Sequence, residues 1–261
     1  DLEKQMVSLI TRPQGVFLVT GPTGSGKTTT LYASLQLINT PEKNILTVED
    51  PVEYLLPGIS QMQVNPKIEL DFARALRSFL RQDPDVIMVG EVRDEETARI
   101  AIQAALTGHL VFSTLHTNDS ASALTRLIDM GIEPYLLTSS ITAILAQRLI
   151  RRTCPHCREI YKLTDFEEEI LKNYNVSGSK VFYRGKGCDQ CINTGYMGRV
   201  GIFELLVVSN KIRQMVQEKR SSEEIKAQAQ KEGMATLRED GLNKALEGVT
   251  TLSEVIRVTI E

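Results

Sequence analysis

Gly21-Pro22-Thr23-Gly24-Ser25-Gly26-Lys27-Thr28-Thr29 separates an apolar run, Gly15 to Thr20, from an amphipathic stretch that begins at Leu31 and Tyr32. A buried strand, a glycine-rich turn and a helix in that order form a P-loop when the glycines, the lysine and the hydroxyl residue hold their fixed spacing. They hold it here. Gly21, Gly24 and Gly26 permit a turn tight enough to aim several backbone N–H groups at one phosphate, with the positive end of the next helix behind them. Lys27 supplies a positive charge for the β- and γ-phosphates, and the Thr28 hydroxyl is a ligand for Mg²⁺. Pro22, Thr23, Ser25 and Thr29 complete the loop as nucleotide-contacting positions. The sequence predicts a protein that binds a nucleoside triphosphate.

With 261 residues, 42% of them hydrophobic, the chain can bury one large core or two modest ones. No apolar run approaches the roughly 20 residues that span a bilayer, and Asp1-Leu2-Glu3-Lys4 lacks the form of a signal peptide, so the expectation is a cytoplasmic protein. A net charge of −3 offers no basic field for direct nucleic-acid binding. That weighs against the alternative enzyme, a RecA-like motor that translocates nucleic acid. A transport ABC domain would need an LSGGQ-like signature, which is absent, and a GTPase would need an NKxD base reader, whereas Asn210-Lys211-Ile212-Arg213 lacks the Asp. The alternative outside the enzymes is a nucleotide-gated subunit with little turnover, which the carboxylates described next disfavour.

Working outward, Leu2, Met6, Leu9 and Ile10 have helical spacing, and a helix with no evident start leads to the expectation of further chain upstream. Ile45 to Val48 reads as a buried strand that ends in Glu49, Asp50 and Glu53, three acids where ligands bind in doubly wound sheets. After a helix from Asp71 to Arg81, Val86-Ile87-Met88-Val89-Gly90-Glu91 has the form of a Walker B strand, whose acid supports Mg²⁺ directly or through water. Glu91 stands where an Asp is usual. Leu110 to Leu115 is a further strand, flanked by His109 and His116, and its end carries Thr114, Thr117 and Asn118. That makes it a candidate sensor of the γ-phosphate. The alternation of strand and helix through about Arg152 predicts an α/β fold with a mainly parallel central sheet.

The four cysteines fall in two pairs, Cys154/Cys157 and Cys188/Cys191, each with two residues between. Four thiolates satisfy tetrahedral Zn²⁺ with no position left open, which makes a structural site rather than a catalytic one. A redox dithiol and unliganded thiols are the other readings. Between the pairs there is room for a short helix from Asp165 to Asn173, and His156 is a bystander. Beyond Ile202 the pattern predicts helices at Lys211–Lys219, from Ser221 to about Glu232, at Thr236–Glu247 and at Ser253–Val258, with Ser221 and Glu224 forming a capping box.

The motifs together are specific. The P-loop, Thr47 to Glu53, Arg74 to Asp94 and Thr107 to Asp119 resemble, in order and spacing, the Walker A, Asp box, Walker B and His box of the secretion ATPase superfamily. The tetracysteine insertion, Gly198 to Leu206 and Gly233 to Leu242 are similar to the type II secretion and type IV pilus assembly ATPases in particular. This resemblance implies a RecA-like P-loop ATPase core over residues 1–152, a zinc-binding subdomain over 153–200 and a C-terminal helical region over 201–261. It implies a homo-hexameric motor that hydrolyses ATP with Mg²⁺ to power type II secretion or pilus assembly, docked at the bacterial inner membrane on a platform protein and on cytoplasmic domains of the machinery. Family members carry an upstream domain that closes over the nucleotide, and the chain is expected to begin too late to contain it. By position, Glu53 would orient or deprotonate water and Glu91 would support Mg²⁺, with an exchange of those roles left open. His109 and His116 would report the γ-phosphate, and Arg77, Arg81 and Arg93 would stabilise the transferring phosphoryl group in cis or across a subunit boundary.

Overall fold

The computed structural model describes residues 2–172 and 181–259. Helix α1 (Leu2–Ile10) leads into β1 (Gly15–Thr20), followed by α2 (Lys27–Ile38), β2 (Ile45–Glu49), β3 (Ser60–Gln63), α3 (Phe72–Phe79), β4 (Val86–Val89) and α4 (Glu95–Leu106). Next come β5 (Leu110–Leu115), α5 (Ser120–Asp129), α6 (Pro134–Ser140), β6 (Ile141–Thr153), β7 (Arg158–Tyr161), α7 (Asp165–Lys172), β8 (Phe182–Gly185) and β9 (Tyr196–Val207). The chain then runs through α8 (Asn210–Gln217), α9 (Ser222–Lys231), α10 (Leu237–Leu246) and α11 (Leu252–Thr259). The last residue of the helix expected at Asp165 to Asn173 lies outside the described residues.

β1, β2, β4 and β5 are buried along their whole length, as strands covered on both faces must be, and their sequences are near-continuous apolar runs for that reason. They belong to a seven-stranded sheet of order β3-β2-β4-β5-β1-β6-β9. β1 pairs in parallel with β5 and β6, β4 with β5 and β2, and β2 with β3. Parallel pairing brings the C-terminal ends of β1, β2, β4 and β5 to one edge: Thr20 lies opposite Leu115, and Val89 opposite both Val48 and Ser113. The P-loop, the 50–56 loop, Glu91 and His116 therefore all leave the sheet on the same side.

Three helices start under an aspartate. Asp71 accepts from the Arg74 N–H at 2.7 Å, Asp94 from that of Thr97 at 2.8 Å and Asp119 from that of Ser122 at 2.8 Å. α3 buries Phe72, Leu76 and Phe79, and α4 packs a face of small residues, Ala98, Ala101 and Ala105, that lets the helices approach the sheet closely. The rings of Phe17 and Phe112 on paired strands lie 6.0 Å apart, both fully buried.

The described chain divides into two compact units, residues 1–146 with 205–234, and residues 147–204 with 235–261. This differs from the division expected from sequence, in which 201–261 stood as one helical region. α8 and α9 belong with the first unit, the one that carries the P-loop, because their apolar residues, Ile212, Val216, Ile225 and Ala229, join its hydrophobic cluster. α10 and α11 belong with the cysteine segment. In that second unit β7 and β8 form an antiparallel ribbon with Arg158 opposite Gly185. Gly185 approaches Gly195 so closely that a Cβ there would lie 2.1 Å from the Gly195 carbonyl oxygen, which only glycine tolerates. Glu254 on α11 is buried and accepts from the Arg151 N–H at 3.0 Å, the Arg151 guanidinium at 2.7 Å and the Arg257 guanidinium at 2.7 and 2.8 Å. Burial works against that carboxylate, but the two arginines outweigh it and hold its pKa down at about 2.

The C-terminal helices fall within a residue or two of their sequence positions, and the Ser221–Glu224 capping box forms with both of its hydrogen bonds. β9 is among the strands the sequence does not announce. Gly198 and Gly201 interrupt its pattern, and only Ile202, Glu204, Leu205 and Leu206 are buried.

Candidate active site

A cavity of about 630 Å³ opens at the shared edge of the parallel strands. It is lined by Thr23 to Thr29 of the P-loop, by Glu49 at the end of β2 and Asp50, Glu53 and Tyr54 after it, by Gly90, Glu91 and Arg93 after β4, and by Thr114 and His116 at the end of β5. The loop can bend this way because Gly24 and Gly26 take φ of 77° and 86°, in the left-handed region that favours glycine. Gly26 caps α2, so the first amides of a 12-residue helix face the cavity. The Lys27 ammonium donates to the carbonyls of Gly21 at 2.8 Å and Pro22 at 3.1 Å. Burial lowers its pKa, and the charge of Glu91 partly restores it.

Glu91 is the electrostatic centre. One carboxylate oxygen accepts from the Arg93 guanidinium, and the other lies 3.4 Å from His116 Nε2. Burial pushes the Glu91 pKa up, yet the hydrogen bond and charge of Arg93, joined by His116, outweigh it and bring it below the ordinary carboxylate range. The hydroxyl of Thr28 and the carboxylates of Glu91 and Glu53 give the cavity hard oxygen donors, the chemistry Mg²⁺ requires.

Not every residue singled out in the sequence reaches this cavity. His109 precedes β5 and His116 follows it, so a six-residue strand of about 20 Å separates them. His109 Nδ1 instead lies 2.8 Å from the Ala104 carbonyl, at the end of the sheet away from the P-loop. Arg77 on α3 pairs with Glu96 at the start of α4, and Arg81 donates to the Arg77 carbonyl at 2.7 Å; both are exposed and neither lines the cavity. Gly21 and Pro22 do not line the cavity, and their carbonyls accept from Lys27.

The four cysteines converge in the second unit. Their sulfurs all lie within 4.8 Å of one another, at 3.9 Å for Cys154 and Cys188, 3.8 Å for Cys157 and Cys191 and 3.7 Å for Cys188 and Cys191. Four thiolates around a tetrahedral ion at about 2.3 Å would sit about 3.8 Å apart, so the donor set fits Zn²⁺ and is far too open for disulfides. Burial disfavours the Cys191 thiolate. The N–H groups of Cys188 and Gly195, each 3.3 Å from its sulfur, overcome that and lower its pKa, while burial keeps that of Cys157 high.

The sequence matches the family described as type II/IV secretion system protein over residues 1–257. The chain belongs to this family. Among curated members, it is 55% identical over 257 residues to the type IV pilus assembly ATPase PilB of Thermus thermophilus, covering 97% of this chain and 29% of that protein. It is 54% identical over 258 residues to type II secretion system protein E of Pseudomonas aeruginosa, covering 99% of this chain and 51% of that protein. The chain thus spans about half or less of the length of these relatives. In structure it is similar to the pilus retraction motor PilT with bound ADP, with a TM-score of 0.73 at 30% identity over 98% of this chain and 64% of that one.

Two site-forming residues of this type II/IV secretion family member escape sequence reading. Tyr32 passes for a core residue of α2, and Gln61 for an edge residue of the unrecognised strand β3. Both bond to the buried Glu49 carboxylate, and each also bonds directly to the backbone of the loop that carries Glu53. The pairing of β2 with β3 reveals Gln61, and the packing of α2 against the end of β2 reveals Tyr32.

Proposed function

We propose that this chain is the ATP-hydrolysing part of a hexameric motor that powers type II secretion or type IV pilus assembly. One observation carries the reading: the P-loop, Glu53, Glu91, Arg93 and His116, drawn from four separate loops, line a single cavity. Lys27 and the α2 amides hold the phosphates, and Glu53 orients and deprotonates the attacking water. Thr28 and Glu91 hold Mg²⁺, which when bound neutralises charge on the phosphates. Arg93 and His116 fix the Glu91 carboxylate, so a change at the γ-phosphate reaches both. Arg77 and Arg81 lie outside the cavity, and their part is electrostatic stabilisation across a subunit boundary. His109 has no place in this scheme. The cysteines hold one structural Zn²⁺. The motor works at the cytoplasmic face of the bacterial inner membrane through a platform protein and cytoplasmic domains of the machinery, without direct nucleic-acid contact. Among the described residues no helix is long and apolar enough to cross a membrane, in keeping with attachment through partners.

The steady-state ATPase rate, measured against protein concentration for the wild type and for Glu53→Gln, tests this. Turnover per chain should rise with concentration and fall at least about a hundredfold in the variant. A concentration-independent rate that survives Glu53→Gln would overturn the reading.

A further inference from the structure

The loop that carries Glu53 is held by side chains rather than by the sheet. The Val52 N–H donates to Gln63 Oε1 at 3.2 Å, the Glu53 N–H to the Tyr32 hydroxyl oxygen at 3.3 Å and the Leu56 N–H to Gln61 Oε1 at 2.6 Å. Gln61 Nε2 in turn donates to the Tyr54 carbonyl at 3.2 Å. Behind these bonds stands Glu49, 2% exposed, whose carboxylate accepts from the Tyr32 hydroxyl on one oxygen and from Thr47 and Gln61 on the other. The Tyr32 ring meets that of Tyr54 edge-on, with centroids 4.7 Å apart.

Tyr32 lies on α2, the helix that begins with Lys27 and Thr28. Its hydroxyl therefore joins the phosphate-binding helix directly to the backbone of Glu53. A hydroxyl can donate once and accept at the same time; here the donated bond goes to Glu49, and the accepted ones come from the Glu53 N–H and, at 3.4 Å, from Gln61 Nε2. A purely structural tyrosine would need only the first.

We propose that Tyr32 is a positioning residue: its hydroxyl, oriented by the Glu49 carboxylate, sets the distance between the P-loop and Glu53. This rests on the reading of Glu53 as the group that activates water. The chemical requirement is simple. A base displaced by a fraction of an ångström from its water loses rate without the nucleotide losing affinity. The hydroxyl of Tyr32 bonds Glu49, the Glu53 main chain and Gln61, none of them a P-loop residue, so removing the hydroxyl alone should leave binding intact.

The test uses Tyr32→Phe, which keeps the ring and its packing against Tyr54, in the full-length protein alongside Glu53→Gln and the double variant. Tyr32→Phe should lower kcat about tenfold with KM and the affinity for a fluorescent ATP analogue within about twofold of wild type. Amide hydrogen exchange should quicken at Val52 and Glu53 and stay unchanged along β1. In the Glu53→Gln background, removing the hydroxyl should cost no further turnover, because the group it positions is already gone. Unchanged exchange at Val52 and Glu53 would overturn the tether. So would losses that multiply in the double variant, or a loss of nucleotide affinity together with turnover, which would assign Tyr32 to folding. If Glu53→Gln instead keeps wild-type turnover, it is the role of Glu53 that falls, and the exchange rates still judge the tether by themselves.

Discussion

Lys27 donates to two carbonyls of its own loop, and its cation stands near the carboxylate of Glu91. An incoming phosphate competes with those carbonyls and wins through its charge, since hydrogen bonds between charged groups are worth roughly 1.5–3 kcal/mol. Lys27→Ala should weaken ATP-analogue binding at least about tenfold, read by fluorescence titration. Lys27→Arg should not restore it, because a planar guanidinium does not fit a point-charge position inside a tight loop. Affinity retained by Lys27→Ala would remove the P-loop from the site. These residues are legible from sequence because the loop is contiguous and its spacing fixed by phosphate geometry. The roles of Tyr32 and Gln61, and the part Glu49 plays in orienting them, are not legible, because they come from α2 and β3 meeting at the end of β2, which no local pattern records. His109 misleads for the converse reason: it and His116 flank one strand symmetrically in sequence, but a strand has two ends and only His116 stands at the cavity.

At the scale of elements, the parallel strands show themselves as short apolar runs ending in polar or acidic residues, and that is what burial on both faces demands. β9 and the β7–β8 ribbon are hidden. Their faces are half exposed, and glycines required for close approach, such as Gly185 against Gly195, dilute the alternation. What fixes α11 is likewise a long-range pairing, of Glu254 with Arg151 in β6 as well as with its own neighbour Arg257. Glu254→Gln gives up hydrogen bonds from two guanidiniums that water can still reach, so the loss is that of charged hydrogen bonds to a buried carboxylate, on the order of 1 to 3 kcal/mol. Glu254→Gln should therefore lower the thermal midpoint of the second unit at neutral pH. The sign follows from the depressed pKa. The stabilisation from Glu254 is fully present above its ordinary value of 4.5 and is lost as pH falls toward about 2. Wild type and variant should accordingly converge in stability as the pH is taken down through that window, and a gap that widens in acid would contradict the assignment.

For the whole molecule, the division into two units separates the nucleotide cavity from the tetracysteine cluster, because every residue lining the cavity belongs to the first unit. The second unit has a smaller apolar supply than the first: Ile150, Leu171, Phe182, Ile202, Leu237, Leu242, Ala245, Leu252, Val255 and Ile256 are buried, and three of the four cysteines with them. Small cores need a staple, and a metal held by four thiolates contributes its binding free energy to folding outright. Protein purified without chelator should thus contain about one zinc per chain by elemental analysis. Stripping the ion should abolish the thermal transition of the second unit. ATP-analogue affinity should change little, because the first unit keeps its own hydrophobic cluster across sheet and helices. Chelation that destroys nucleotide binding in step with the second unit's transition would show that the two units fold as one. Absence of zinc, with the sulfurs still reactive toward a thiol probe only after unfolding, would instead mean that packing alone closes the cluster.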